Sequence, residues 1–369
     1  MKSGVGIEVP FQIIWTGENK KMNKNSPEFL AGANCRTTAM GILPHTDPDR
    51  ALKLALSLDI PFWPQLPRYS FREDMYAQAC DGLPGFTVDE KRKTVIFDYD
   101  VFLAQLEEFS LYMDDPAYFG FRENSSAVFD KFLQLDLSNY WAIRGQMIGI
   151  ISFGTKILDK NNKPVIFDEN VKEVLKHAFS MKVNWQTAKL LEKNPRAFVW
   201  VDDPGLPLIF MGTSGYVENQ ARADMHDFLE KIKGIKGVHL CGNPEWDFLL
   251  YSGLDILSLD AFSCGETVVH YSSLLKFLNR GGIISWGIVP TQTETFSLTD
   301  EDKLFNYLDV LWDKLAVRGL NKKNIASQSL LAPATCCLVN PDKEVTVERT
   351  FEVLTNLSRR FREKYELYD

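Results

Sequence analysis

The chain has 369 residues, 45% of them hydrophobic and 24% charged, with 41 basic against 49 acidic side chains and a net charge of −8. That composition excludes disordered and fibrous classes, and the acidic balance excludes a general nucleic-acid binder, which needs a basic surface to neutralise phosphates. No apolar run approaches the roughly 20 residues of a membrane helix, and the length suits one large α/β barrel or two medium domains.

Residues 1–34 are polar and broken by Pro10, Gly17 and Pro27. They read as a poorly ordered leader or an edge decoration. They lack the basic head, apolar stretch and cleavage site of a signal peptide, so the expected location is the cytoplasm. Six cysteines, Cys35, Cys80, Cys241, Cys264, Cys336 and Cys337, make no disulfide framework in a chain this long. In a reducing compartment each is a buried filler, a metal ligand or a nucleophile.

From Cys35 onward strands and helices alternate. CRTTAMGI predicts a first strand, and Asp47-Pro48 starts a helix. IPFWPQL predicts a second strand and SFREDMYAQAC the helix after it. Residues 82–137 interrupt the alternation with a β-hairpin around TVIFDYD and two helix-like segments, an excursion that reads as a lid or an accessory layer. WAIRGQMIGI is the third strand. A long helix from Asp168 to Lys193 leads to the fourth, AFVWVDD, after which Pro204-Gly205-Leu206-Pro207 forbids regular structure until a helix over 220–233. GVHLC, LDILSLD, GGIISWGIV and ASQSLLAPA are strands five to eight. The helix after the sixth spans 267–280, and an amphipathic helix closes the chain. Eight strands, each followed by a helix, predict a (β/α)8 TIM barrel over 35–369 with an insertion at 82–137 after strand two. An open doubly wound sheet is disfavoured because no G-x-G-x-x-G turn follows the first strand.

Barrel enzymes build their sites where strands end. Met40, Gly41 and Ile42 follow strand one, Asp202 and Asp203 strand four, and His239 and Cys241 end strand five. Asp260 ends strand six, Trp286 strand seven, and Cys336-Cys337 follow strand eight. His239 and Cys241 are two residues apart, so a strand directs both to one side. Imidazole nitrogen and thiolate sulfur are ligand types that zinc prefers. Alone, an H-x-C pair is far more often a satisfied histidine and a buried thiol than a metal site, but the agreement of three strand ends points to a metal.

These residues resemble the catalytic barrel of cobalamin-independent methionine synthase and, more loosely, its relatives among the zinc-dependent corrinoid methyltransferases and uroporphyrinogen decarboxylases. His239-Leu240-Cys241, Asp260 and Cys336, the last in Pro333-Ala334-Thr335-Cys336-Cys337-Leu338, match the three zinc-binding positions of the synthases. The resemblance implies zinc (Zn2+) held by His239, Cys241 and Cys336, with Asp260 as fourth ligand or as the partner that orients His239. Thr37 to Pro44 is similar to the loop that contacts homocysteine, which makes Met40, Gly41 and Ile42 substrate-binding candidates. Val201 to Leu206 is similar to V-D-E-P-A-L and makes Asp202 the catalytic-site acid that receives the substrate ammonium. Trp286 would offer a flat wall for the methyl donor.

The implied activity is zinc-dependent S-methylation of homocysteine or a related small thiol, with methyltetrahydrofolate or a methylated corrinoid protein as donor. The departures keep alternatives open. Asp260 replaces a glutamate, so Cys264 or Cys337 could complete the shell. Ala77 replaces a glutamate that helps hold homocysteine, so another thiol such as coenzyme M could be the acceptor. The second, N-terminal barrel of the full-length synthases has no counterpart. A decarboxylase would need an arginine-rich substrate grip that Phe62 to Arg68 does not supply, and a non-catalytic metal-binding barrel is the remaining class. No nucleic-acid or membrane partner is expected.

Overall fold

The computed structural model describes residues 32–122, 124–212 and 215–368. The expected leader lies almost wholly outside the described residues. Among them, the strands are β1 (Arg36–Thr37), β2 (Phe86–Asp89), β3 (Thr94–Phe97), β4 (Ile143–Ile148), β5 (Ala197–Asp202), β6 (Lys236–Leu240), β7 (Ile256–Leu259), β8 (Ile283–Val289) and β9 (Ser329–Pro333). Seven of them form one parallel sheet in the order β1-β9-β8-β7-β6-β5-β4, and β2 and β3 form an antiparallel hairpin.

The expected second strand forms no ladder. Pro61 and Pro64 remove two backbone donors from it, so residues 60–66 make only isolated bridges, Gln65 to Ile42 and Phe62 to Arg144. Those bridges reach both edges of the sheet. Ile60 N donates to Thr37 O at 2.9 Å and Gln65 N to Gly41 O at 2.7 Å on the β1 side, while Arg144 N donates to Pro61 O at 3.0 Å on the β4 side. One short segment touches both edges only if the sheet curls, and the result is a partial TIM-like barrel.

Helix starts follow their caps. Asp47 accepts from Asp49 N and Arg50 N ahead of the helix Pro48–Ala55, and Asp168 accepts from Asn170 N and Val171 N ahead of Glu169–Leu191. Two expectations are corrected. The helix predicted over 267–280 is two, Ala261–Val268 and Ser272–Asn279, because Asp260 caps the first immediately after β7. The Pro204–Pro207 stretch leads straight into a one-turn helix, Pro207–Phe210, with proline at the position where its missing N–H costs nothing.

The larger hydrophobic core lies between sheet and helices, where Val199, Val201, Val238, Leu240, Leu257 and Leu259 join Phe228, Leu311, Trp312 and Phe361. A smaller buried cluster, including Met40, Phe198, Trp200, Ile256, Ile283, Leu330 and Ala332, comes from the alternate strand positions inside the curl. Phe121 and Phe129 meet Trp63 edge-on at 5.1 and 5.4 Å, so part of the excursion covers residues 60–66. Glu73 fastens the same place, accepting from Leu66 N at 2.9 Å and Ala127 N at 2.6 Å. Among the described residues no helix is long and apolar enough to cross a membrane.

Candidate active site at the strand C-termini

In parallel register Asp202 lies beside His239 and His239 beside Ser258. Asp202, His239 and Cys241 therefore come from adjoining strand ends on the inner face. His239 is 3% exposed, its Nδ1 is 2.9 Å from Ser258 Oγ, and its Nε2 has no partner. Its ring stacks on Trp200 at 6.2 Å and 12°. Gly237 makes room for that indole, since a Cβ there would overlap the Trp200 ring. Burial, then the Arg144 charge, drives the imidazole down to about 3, so it is neutral and its Nε2 is available as a donor.

Burial pushes Cys241 up to about 11, with the Asp202 and Asp260 carboxylates adding to it. Cys336 is pushed up to about 12 by burial, with Cys241 and Asp202 adding. Cys337 turns elsewhere, its thiol 3.3 Å from Asn340 Oδ1 and 3.6 Å from Val339 O. Of the adjacent pair, Cys336 is the one that packs against the inner cluster.

Asp202 is buried with Oδ1 unpartnered. Burial raises it to about 7, Arg144 pulls it back and Asp203 adds to the rise. Asp203 is fully buried and fixed by Ser152, whose backbone N donates at 2.7 Å and whose hydroxyl also donates to it. Asp260 spends Oδ1 on Ser263 N at 2.9 Å as a helix cap, and Ser258, not Asp260, orients His239.

The remaining expected residues divide. Met40 is buried in the inner cluster against which Cys336 also packs. Gly41 and Ile42 serve closure instead: Gly41 accepts from Gln65 N and lies too close to the Gln146 side chain to admit a Cβ, and Ile42 bridges Gln65. Trp286 does not end its strand, because β8 runs on to Val289. Its indole packs on Trp312 at 6.4 Å and donates to Ser329 Oγ at 2.9 Å, on the helix side of the sheet.

Arg144 is the residue that strand reading overlooked. It is 0% exposed inside the curl, with Cζ 4.1 Å from the Trp200 ring centre and 4.8 Å from that of Phe62. Nε donates to Thr38 Oγ1 at 3.0 Å, and one terminal nitrogen has no partner. Desolvating a charge costs several kcal/mol even after relaxation. Two ring faces at about 2 kcal/mol each, with a hydrogen bond from a charged donor at about 1.5–3, offset that cost. Tyr76 was overlooked too. Its half-buried phenol lies near Asp203, Asp74 and Cys241, whose charges add to the rise that burial imposes on it.

No family model matches the sequence, and no curated protein matches it. The fold is similar to that of a methyltransferase from Methanosarcina mazei. The superposition covers 90% of this chain and 94% of that chain, with a TM-score of 0.50 and 13% identity. A likeness of that breadth and that low identity shows a shared fold and nothing finer. A looser superposition, TM-score 0.43 at 11% identity over 63% of this chain and 68% of the other, is with a protein assigned as a vitamin-B12 independent methionine synthase from Listeria monocytogenes.

Among the described residues, no three His, Cys, Asp or Glu side chains already stand as a metal-holding group. The donor set nevertheless fits zinc in kind, with one partnerless imidazole nitrogen and two adjoining thiols.

Proposed function

We propose that this chain is a zinc-dependent thiol S-methyltransferase, methionine synthase-like, acting on homocysteine or a related small thiol. The observation that carries the reading is the parallel register that sets Asp202 beside a buried His239 whose Nε2 has no partner, two residues before Cys241. We read the partial barrel as a (β/α)8 barrel whose second strand is reduced to bridges, with this rim as its working face.

His239, Cys241 and Cys336 would hold the zinc, which when bound supplies Lewis-acid stabilisation of an acceptor thiolate at neutral pH. Both protein thiols must lose their protons to serve, so metal uptake releases protons and strengthens as pH rises. Ser258 and Trp200 hold the His239 ring in place and leave its Nε2 without a partner. Asp202 receives the acceptor's ammonium group, and that cation would bring the carboxyl back below the value burial imposes. The acceptor sulfur forms its bond to the methyl carbon as the donor's bond to that carbon breaks. The donor is methyltetrahydrofolate or a methylated corrinoid protein, and coenzyme M is the alternative acceptor.

Zinc content and turnover test this together. Near one equivalent of zinc in purified protein, lost in Cys241→Ala and Cys336→Ala, with methylation of homocysteine or coenzyme M from methylcobalamin or methyltetrahydrofolate, is the expected result. Metal-free protein with no turnover for any pair, and a Cys336→Ala form indistinguishable from it, sinks the reading.

A further inference from the structure

The two adjacent cysteines after β9 are held by different surroundings. Ala334 N donates to Val289 O at 2.8 Å, so the segment that carries them leaves the sheet beside the end of β8. Before the thiols, the hydroxyls of Thr335 and Thr291 lie 3.1 Å apart. After them, the buried Asn340 ties back to the same turn, its Nδ2 donating to Thr291 O at 2.8 Å and its Oδ1 accepting from Thr293 N at 3.1 Å. That turn is pinned in its own right to the C-terminal helix Val345–Tyr365, where Thr350 donates to Pro290 O at 3.0 Å and the Thr346 hydroxyl lies 3.0 Å from that of Thr293. Residues 336–339 are therefore a short span stitched at both ends to a fixed turn. Within it the Cys337 thiol lies 3.3 Å from Asn340 Oδ1, whereas Cys336 packs against both buried clusters. A thiol is a weak donor, but an amide with both ends spent on backbone groups cannot move away from it, so the acceptor stays fixed. Two neighbouring thiols on a free loop can each reach a soft cation, and fixing one of them removes that choice.

We propose that Asn340 is a positioning residue that selects between the adjacent thiols, holding Cys337 against the turn after β8 and leaving Cys336 as the metal-binding one. The choice of thiol rests on the bonds above, while the identity of the metal rests on the zinc reading of this chain. A single thiol gives a single ligand geometry, which the proposed methyl transfer needs for alignment.

Alkylation of the full chain with iodoacetamide, read cysteine by cysteine by peptide mass spectrometry with and without zinc, tests the proposal. In the wild type, zinc should slow the labelling of Cys336 by about tenfold or more and leave Cys337 within about threefold. In Asn340→Ala it should slow both thiols alike, with zinc affinity in chelator competition lowered about tenfold. Adding Cys337→Ala to that variant should restore most of the affinity, a rescue that a merely structural role for Asn340 would not produce. Without metal, Asn340→Ala should speed the labelling of Cys337 by about threefold or more, while the buried Cys80 stays unlabelled and reports an intact fold. Asn340→Asp keeps the acceptor oxygen and should keep the wild-type pattern, which provides an arm if the alanine variant does not fold. Wild-type protein that takes up no zinc sinks the zinc reading, and the metal-free rates then decide this proposal. Equal protection of Cys336 and Cys337 in the wild type or in Asn340→Asp, or rates in Asn340→Ala unchanged from the wild type, overturns it.

Discussion

The two faces of the central strands are built to different rules. Outward, β5 to β8 present Val199, Val201, Val238, Leu240, Leu257, Leu259, Ile284 and Trp286, which pack on helices. Inward, the same strands and β4 present Arg144, Trp200, Asp202, His239, Ser258 and Ser285, and five of these six carry a buried polar atom with no partner. An unpaired buried polar atom costs about 1–3 kcal/mol, so the inner face works against stability while the outer face supplies it. A chain that needed only to fold would have filled both faces alike. The inner polarity therefore points to chemistry, and it is affordable because the outer core carries the fold.

The contrast can be pressed hardest from outside. Leu257→Ala should cost about 2–5 kcal/mol in denaturant unfolding, while the zinc stoichiometry of the folded protein stays the same. A variant that kept its stability but lost its metal would reverse the assignment of the two faces. From inside, Cys336→Ala should weaken zinc binding by about 100-fold or more, whereas Cys337→Ala, whose thiol turns to Asn340, should leave it within a few-fold. Competition with a chromogenic chelator measures both, and equal losses would contradict the placement of the two thiols.

The next effect is one of pH. Burial raises Asp203 to about 6 although the Ser152 hydrogen bonds oppose it. A folded value above the unfolded one, about 3.9, means the native state holds this proton more tightly. Its stabilising contribution is thus complete below about pH 4 and lost as pH rises through about 6, a change of about 3 kcal/mol. Asp203→Asn should flatten that decline, and urea midpoints for the two proteins that run parallel between pH 4 and 7 would remove Asp203 as its source. The smallest change expected is for Trp286→Phe, which deletes the bond to Ser329 and should cost about 1 kcal/mol with methyl transfer unaffected.

Much of this was legible in the sequence because the outer face writes itself as apolar runs, and because an i, i+2 pair such as His239 and Cys241 must share a side of a strand. Asp47 and Asp168 announced their helices in the same local way. What stayed hidden depends on distant partners. Arg144 makes sense inside a barrel only beside the rings of Phe62 and Trp200, which come from elsewhere in the chain. The apolar run GGIISWGIV already reaches Val289, so the sequence itself argues against Trp286 as the strand's end, and only its partners Trp312 and Ser329 had to come from the fold. The failed second strand was readable in principle, since Pro61 and Pro64 both withhold donors, but apolar patterning outweighed them. That the Cys337 thiol turns to the Asn340 side chain is likewise a contact that spacing cannot supply.

The pairing of β1 with β9 sets a schedule for biosynthesis. The sheet partner of β1 is β9, and the Cys35 thiol rests on Ala326 O, 291 positions later in the chain. Residues 60–66 reach β1 early, but its ladder partner β9 is synthesised some 290 positions later. Cys336, which follows β9, is among the last of the thiols to emerge, so a nascent chain holding His239 and Cys241 alone offers zinc an incomplete grip. On the proposed site, zinc capture would wait until β9 has paired with β1.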